Sequence, residues 1–392
     1  MKAFFWTGLL GLTLLLASSY DWGFFGHRKI NHLAVFTLPQ EMIGLYKNNI
    51  DFITEEAVGP DKRRYASKFE GIRHYMDLDK WGEAPFPDLP RNWTDALCHY
   101  TAYKMLTAKG DTITFDPLKS EAKPEKVRGY KWFFIQNISP QYYEEEWLVE
   151  KDSLAKFFVL PKRNIVKVWA EDRLSPHGVL PYNLIRMQKR LTEYFQEGDV
   201  YKILRTSADF GHYIADAHVP LHTTENYNGQ MTNQVGIHAF WETRLPELFA
   251  EKDYDFFVGG AEYIRNPEKY FWDIVLESHT MVKTVLEGEK NLSEEFPEDK
   301  QYCMVERGAT LVPLECEEYA QAYHNLMDGM VESRMRSAIK AIGDAWYTAW
   351  VDAGKPALEG MEKWQDTESQ TELEEIEKAY QKGQIKGREH QN

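Results

Sequence analysis

Apolar residues recur every three or four positions along three long segments of the chain, a spacing that predicts amphipathic helices. The first segment ends at Gly198 and the second must stop at Pro220, because proline interrupts helical hydrogen bonding. The three apolar stripes consist of Leu180, Leu184, Met187, Leu191 and Phe195, then Leu204, Ala208, Gly211 and Ala215, and finally Val331, Met335, Ala338, Ile342, Ala345 and Ala349.

Helical periodicity dominates the rest of the chain as well, so we predict a mostly α fold with a single helical domain over residues 22–355. Strand-like patterns are confined to residues 111–115 and 131–137. We expect two irregular insertions in the helical domain, at about 110–155 and 288–316. Aromatic residues of the insertions are candidates for shaping a pocket or for core packing, namely Trp132, Phe133, Phe134, Tyr142, Tyr143 and Trp147. The strongly charged tail, 356–392, predicts a frayed helix or disorder.

The N-terminus has the pattern of a secretory signal peptide. Lys2 is followed by an apolar run from Ala3 to Ala17 and then by Ser18 and Ser19. Fifteen apolar residues are too few to span a bilayer comfortably. We therefore expect residues 1–21 to be a signal peptide with a short leader, and the protein to be exported, periplasmic or secreted, without a stable membrane anchor.

Composition and charge narrow the class of function. The chain has 392 residues, of which 43% are apolar, and its formal net charge of −15 disfavours a tight grip on long duplex nucleic acid. Of its three cysteines, Cys303 and Cys316 can pair and leave Cys98 free, although the sequence does not fix the pairing. No CxxC spacing is present, so a metal site would have to use His, Asp and Glu.

The segment from Gly211 to Thr243 concentrates such residues. His212 and Asp216 are four residues apart on the second predicted helix, so both lie on one face. His238 and Glu242 repeat that spacing after a polar loop, and His222 lies two residues after Pro220. One such pair is usually a hydrogen-bonded surface pair, whereas two pairs with a histidine between them make a metal site an equal alternative.

Upstream segments supply further candidates, namely Trp22, His27, Asp61, His74 and Asp77. Taken together, the chain resembles the zinc-dependent phospholipases C and the single-strand-specific nucleases that share their fold. The matching elements, in chain order, are W-x4-H, an Asp about a dozen residues before H-x-x-D, HxxxDxHxPLH and GxHxxWE, between Trp22 and Glu242. The resemblance implies a mostly helical domain around three zinc ions.

Carried over by position, the resemblance implies three ligand sets. One zinc would be bound by Asp61, His74, His212 and Asp216. A close second zinc would share Asp216 and be bound by His27 and by the backbone amine and carbonyl of an N-terminal Trp22. Signal peptidase specificity, however, favours cleavage after Ser19, which leaves Tyr20 and Asp21 ahead of that tryptophan. The third zinc would be bound by His222, His238 and Glu242.

The resemblance also implies a reaction. A close zinc pair lowers the pKa of a bridging water, and the resulting hydroxide can attack phosphorus, with Asp61 orienting or deprotonating the water. We therefore expect a secreted phosphoesterase with a phospholipid, single-stranded nucleic acid or nucleotide as substrate, and no protein partner is indicated. Glu242 as the last ligand favours a phospholipase C-like enzyme, whereas the short W-x4-H spacing favours a single-strand nuclease or 3′-nucleotidase.

Two alternatives stay open at this point. Candidate substrate contacts are Arg73, Asp77 and Asn228, and for Arg73 and Asp77 a structural ion pair is an equal alternative. The protein could also be a non-catalytic scaffold in which zinc ties the helices together. Structural zinc sites are usually four-coordinate and closed, and a third site with only three side-chain ligands argues against that role.

Overall fold

The three apolar stripes form three long helices, as predicted. The computed structural model of the chain describes residues 24–117, 124–307, 310–361, 367–383 and 385–386, so Trp22 and the signal segment lie outside the described residues. The first stripe lies on the helix Leu180–Glu197, which ends at Gly198 in a left-handed conformation (φ 71°) that favours glycine. The second lies on Val200–Ala217 and the third on Met330–Asp352.

Helices account for most of the described residues, and the prediction of a mostly α fold is confirmed. The α-helices in chain order are α1 Phe24–Ala34, α2 Gln40–Asn48, α3 Ile50–Glu55, α4 Gly59–Arg63, α5 Lys68–Gly71, α6 Trp93–His99, α7 Pro124–Asn137, α8 Lys151–Ala155, α9 Leu180–Glu197, α10 Val200–Ala217, α11 Ile237–Ala239, α12 Leu245–Asp253, α13 Pro267–Glu295, α14 Glu317–Leu326, α15 Met330–Asp352 and α16 Thr367–Gln381. Within the described ranges, no helix is long and apolar enough to cross a membrane.

Four helices form the centre of the molecule. Helix α10 packs against α9, α15 and α1, and α15 also packs against α1 and α9. The residues that fill this centre are fully buried, among them Leu184, Ile214, Ile342 and Trp346. Burial of these apolar side chains is the main favourable term in folding, so the four helices provide a stable frame for whatever α10 carries.

The described residues between 101 and 172 form strands and helices, whereas we expected an irregular insertion at about 110–155. Its antiparallel sheet has the strand order β2-β1-β4-β3. Tyr103 of β1 pairs with Phe115 of β2 on one side and with Ala170 of β4 on the other. The strands are β1 Thr101–Thr107, β2 Thr112–Phe115, β3 Trp147–Leu148 and β4 Ile165–Asp172. The strand predicted over 111–115 is therefore confirmed.

The strand predicted over 131–137 is wrong, because these residues belong to helix α7. The run of aromatic and apolar residues resembles a buried strand, but the buried positions recur every four residues, at Tyr130, Phe134 and Ile138. Trp132, in contrast, is 66% exposed. A helical period thus underlies an apolar run whose composition favoured a strand.

The second region expected to be irregular, 288–316, is also regular. Helix α13 continues to Glu295, and the hairpin of β5 Tyr302–Arg307 and β6 Thr310–Glu315 follows. Cys303 and Cys316 form a disulfide across this hairpin, with their Cα atoms 5.0 Å apart, and Cys98 is free. The hairpin is therefore fixed at its open end by a covalent bond.

Within the charged tail, residues 367–381 form helix α16, and a helix was one of the two expectations for this segment. Lys62 Nζ on α4 lies 2.8 Å from Glu377 Oε2 on α16. The ring of Tyr380 contacts Tyr65 edge to face, with centroids 5.0 Å apart. The tail helix thus packs against the short helix that carries Asp61.

Helices α1 and α10 approach each other closely at Gly211. A Cβ atom at this position would overlap the side-chain oxygen of Asn31. The Asn31 amide donates to the carbonyl oxygen of Ala208 at 3.0 Å, which ties α1 to α10. One residue further along α10, the ring of His212 stacks on that of His27, with centroids 3.9 Å apart. The glycine therefore permits the helix contact that brings the two histidines together.

We predict that Gly211→Ala lowers the free energy of unfolding by about 1–3 kcal/mol, because the methyl group overpacks this contact. The matched control is Gly44→Ala on α2, where a Cβ atom meets nothing within 4 Å. That control should stabilise the protein by about 0.5–1 kcal/mol, since alanine favours a helix over glycine. Denaturant unfolding of the two variants is the measurement. Equal effects of both substitutions would contradict the packing role of Gly211.

Candidate metal centre

The eight described residues of the predicted ligand set converge in the interior, near the C-terminal end of α10. Helix α10 presents His212 and Asp216 on one face, and both are almost completely buried. Three sets of side chains place their nitrogen and oxygen atoms within 4.8 Å of one another, and each could hold a metal ion. These sets are Asp61, His74 and His212; His27, His212 and Asp216; and His222, His238 and Glu242.

The first set surrounds one oxygen of Asp216. Asp216 Oδ2 lies 3.0 Å from His74 Nδ1 and 3.3 Å from His212 Nε2. Asp61 Oδ1 lies 3.8 Å from each of the same two nitrogens. Asp61 sits on α4, where Pro60 at the start of the helix fixes the turn. Four donors from three separate segments of the chain therefore enclose one small volume.

The second oxygen of Asp216 faces a different histidine. Asp216 Oδ1 lies 3.4 Å from His27 Nε2 and 4.0 Å from His222 Nε2. The carboxylate thus separates two groups of imidazoles, and each oxygen serves one of them. This is the arrangement needed to bridge two neighbouring cations.

The third set gathers around Glu242, which lies in a π-helical turn, Phe240–Arg244. Glu242 Oε2 is 2.7 Å from His238 Nε2 and 3.3 Å from His222 Nε2. Its other oxygen, Oε1, is 3.5 Å from His27 Nε2. The resemblance placed Glu242 in the third set alone, whereas the structure also brings it to His27. π-helical turns occur frequently at functional sites, and here the turn directs this carboxylate between two sets.

Backbone carbonyls fix which ring nitrogen faces the cluster. Nδ1 of His212 donates to Ala57 O at 2.8 Å, and Nδ1 of His222 donates to His74 O at 2.6 Å. Nδ1 of His238 lies 3.3 Å from Tyr227 O. Because a carbonyl can only accept, the proton of each neutral ring sits on Nδ1 and the Nε2 lone pair faces the carboxylates. Metal-binding histidines are commonly oriented in this way.

The spacing of the donors fits a metal ion of the size of zinc. Zinc bound tetrahedrally at about 2.0–2.2 Å by nitrogen and oxygen separates its ligands by about 3.4 Å. The carboxylate oxygens of the cluster lie 2.7–4.0 Å from the imidazole nitrogens that they face. His74 Nδ1 and His212 Nε2 lie only 3.0 Å apart, and two lone pairs repel at that distance unless a cation or a proton lies between them.

The electrostatics of the cluster keep its carboxylates ionised. Burial acts to raise the pKa of Asp216, but the neighbouring His212 and His222 outweigh it and hold the pKa well below its usual range. Burial likewise acts to raise the pKa of Glu242, but His222 and His238 outweigh it and hold that pKa well below its usual range. Burial lowers the pKa of His212, yet the charges of Asp216 and Asp61 raise it to about 9.

Arg73, a predicted substrate contact, is bound to a buried acid next to the cluster. Its Nη1 lies 2.8 Å from Glu70 Oε2, and Arg63 Nη2 lies 3.5 Å from Glu70 Oε1. The hydroxyl of Tyr213, the neighbour of His212, donates to the same carboxylate. Burial acts to raise the pKa of Glu70, but Arg63 and Arg73 lower it to about 2. This network holds the segment that leads into His74.

The other two predicted substrate contacts are also engaged by the protein. Asp77 is buried, lies outside the three sets, and places its Oδ2 3.8 Å from His177 Nδ1. Asn228 is buried, and its Oδ1 accepts from the amides of Gly236 at 3.0 Å and of His238 at 3.4 Å. Asn228 therefore closes the loop that ends at His238 and positions that histidine.

The sequence offered only faint signals for the supporting residues. Glu70 and Arg63 belong to a charged run between Asp61 and His74, and nothing in the spacing distinguishes them from a solvated face. Asp79, beside the predicted Asp77, accepts from Thr224 Oγ1 at 2.9 Å and from the amide of Glu225 at 3.1 Å. It thereby anchors the loop after His222.

No known protein family matches the chain, and no curated protein is similar to it. The function is therefore inferred from the chemistry of the site itself.

We predict that zinc binding to the metal-free protein releases protons at pH 7.5. The pKa of about 9 means that His212 is protonated at that pH, and only the neutral ring can bind the metal. Zinc affinity should therefore rise as the pH increases towards 9. Over the same range the metal-free protein should lose the stabilisation that protonated His212 gains from its carboxylate partners. Calorimetry in two buffers of different ionisation enthalpy measures the release, which should be about one proton or more. Identical heats in both buffers would contradict this account.

Proposed function

We propose that this protein is a zinc-dependent phosphoesterase of the phospholipase C and single-strand nuclease type. The observation that carries the proposal is the placement of Asp216, whose two oxygens face two different groups of histidines inside the helical core. Two cations held by one carboxylate would lie a few ångströms apart. Closely paired cations of this kind are typical of enzymes that hydrolyse phosphate esters.

The donors favour zinc over harder or softer ions. Imidazole nitrogens dominate the three sets, carboxylates complete them, and no cysteine belongs to any of them. Magnesium and calcium prefer all-oxygen sites, whereas zinc accepts this mixture. We propose up to three zinc ions, one for each set, with Trp22 completing the set of His27 from outside the described residues.

The roles of the side chains follow from their positions. Bound zinc ions would supply positive charge to the phosphoryl group and lower the pKa of water. Asp61, 18% exposed, is accessible to such a water. Burial acts to raise the pKa of Asp61, but His212 and His74 hold it below its usual value, so the ionised carboxylate is suited to accept a hydrogen bond and orient the water. It is a poor acceptor for a full proton.

A purely structural role for the metal is less consistent with the geometry. Structural zinc sites have four protein ligands and are closed to solvent. Here the third set offers three side chains, and Glu242 within it is 14% exposed. An accessible carboxylate beside a buried cluster leaves room for a substrate, which a closed scaffold site would not need.

Export is also part of the proposal. Residues 1–21, the expected signal segment and leader, lie outside the described residues. The disulfide between Cys303 and Cys316 supports export, because disulfides persist in oxidising compartments.

The proposal predicts metal-dependent turnover of a phosphodiester. Purified protein should hydrolyse bis(4-nitrophenyl) phosphate, lose that activity when a chelator removes the metal, and regain it on addition of zinc. Phosphatidylcholine, single-stranded DNA, RNA and 3′-mononucleotides then form the substrate panel, and the glutamate at position 242 favours phosphatidylcholine. Turnover that persists in chelated, metal-free protein would contradict the proposal.

We further predict that Asp216→Asn lowers turnover by more than about a hundredfold, because it removes the negative charge that two metal groups share. Asparagine keeps the size of the side chain, so α10 should still fold. The matched control is Asp344→Asn, a buried helical carboxylate outside the three sets that accepts from the amide of Glu262 at 2.6 Å. The control should lose stability but keep its zinc content and turnover. Wild-type turnover and zinc content in Asp216→Asn would show that it bridges no metal pair.

A further inference from the structure

A cleft of about 410 Å³ lies beside the segment that leads into His74. This volume falls in the range of small-molecule sites, about 300–1,000 Å³. Four cationic side chains line the cleft, and Glu268 is the one carboxylate among its described lining residues. The cleft is therefore locally positive although the chain has a net charge of −15, and a locally positive cleft attracts anions.

One face of helix α9 supplies much of the polar lining. Asn183, Arg186 and Lys189 recur every three residues and line the cleft together. The buried apolar stripe of the same helix occupies another face. Asn183 is only 3% exposed, its Oδ1 accepts from Arg186 Nη2 at 2.7 Å, and its amide nitrogen has no hydrogen-bond partner among the residues described. A buried donor is therefore left available next to two cations.

The four cations are not equally compensated. Arg73 is bound to Glu70, and Arg91 lies over the ring of Trp272 at 4.3 Å. Arg186 and Lys189, in contrast, form no ion pair with any carboxylate in the part of the chain that the structure describes. These two side chains are exposed, so an anion in the cleft could bind both without competing with a carboxylate of the protein.

Aromatic rings also line the cleft. Tyr143 is 55% exposed, and its hydroxyl accepts from Arg186 Nη1 at 3.1 Å. Its ring contacts Phe69 and Tyr142 edge to face, at 5.2 and 5.0 Å, so its orientation is fixed from two sides. Burial acts to raise the pKa of Tyr143, but the guanidinium groups of Arg186 and Arg73 hold it below its ordinary value. The surroundings of this hydroxyl therefore already favour a negative charge.

We propose that this cleft is a second anion site, separate from the metal centre, that binds a molecule carrying both a phosphate group and an aromatic ring, as a nucleotide does. Arg186, Lys189 and the amide of Asn183 bind the phosphate oxygens, and the ring stacks on the exposed face of Tyr143. A quaternary ammonium headgroup would instead require aromatic rings without adjacent guanidinium groups. The site does not depend on the proposed hydrolytic function, because no residue of α9 belongs to the metal sets.

The test measures equilibrium binding to the zinc-loaded protein by calorimetry. The probe is a nucleoside 5′-methylenephosphonate, whose carbon–phosphorus bond is not hydrolysed. The free nucleoside and methylphosphonate serve as partial ligands, and both should bind more weakly than the probe. The variant Arg186→Gln/Lys189→Gln should weaken probe binding by at least about tenfold, since two charge-assisted contacts are lost.

The control variant Arg190→Gln/Lys202→Gln removes the same charge from neighbouring surface that does not line the cleft. It should bind the probe within about twofold of wild type, as expected for the loss of solvent-screened charges that do not contact the ligand. Tyr143→Leu should weaken binding of the probe but not of methylphosphonate. No probe binding by wild type, an equal loss in the control, or full binding by Arg186→Gln/Lys189→Gln would overturn the proposal. The last result would place the probe at the metal centre. If the protein did not hydrolyse phosphodiesters, the proposed function would fail but these binding outcomes would be unchanged.

Discussion

The buried carboxylate of Asp216 is the interaction on which the rest of the site depends. A charge in the interior of a protein is costly unless it is compensated, and Asp216 lies among four histidines, with His74 at 3.0 Å, His212 at 3.3 Å, His27 at 3.4 Å and His222 at 4.0 Å. His212 lies on the same helix as Asp216, whereas His27 and His74 reach the carboxylate from separate segments of the chain. The helical core therefore has to hold those segments in register, and the close contact of α1 and α10 at Gly211 is one means by which it does so. Cations bound between these groups would bind them together more strongly than the hydrogen bonds do.

The metal centre and the proposed anion cleft lie next to each other along the segment 70–75. Arg73 lines the cleft and is held by Glu70, whereas the adjacent residue, His74, faces the cluster. Tyr213 connects the two regions from α10, because its hydroxyl contacts Glu70 while its ring packs against that of His74 at 5.2 Å. A ligand that draws Arg73 away from Glu70 would thus disturb the support of a cluster histidine.

Periodicity was a reliable guide where one apolar face packs on a core, and it was unreliable where aromatic residues cluster. The helices α9, α10 and α15 follow directly from their apolar stripes. The segment 131–137 looked like a strand because its composition is aromatic, and only the packing of Tyr130, Phe134 and Ile138 on one side shows that it is helical. The sheet built from strands β1 to β4 could not be predicted, since two of its three strand pairings depend on β4, which begins more than fifty residues after β1 ends. Long-range pairing of that kind leaves little trace in local sequence.

The sequence by itself determined the donor types and their local spacing. Pairs four residues apart, His212 with Asp216 and His238 with Glu242, lie on one face of any helix, so their proximity needs no further information. Only the tertiary structure decided which pairs meet and that Glu242 also reaches His27. It also decided that Asn228 closes a loop and that Arg186 and Lys189 line a cleft. The physical reason is that helical geometry fixes distances over a few residues, whereas distances between helices depend on side-chain packing. The contact of Asn31 with Gly211 is an example of such packing, which no short stretch of sequence specifies.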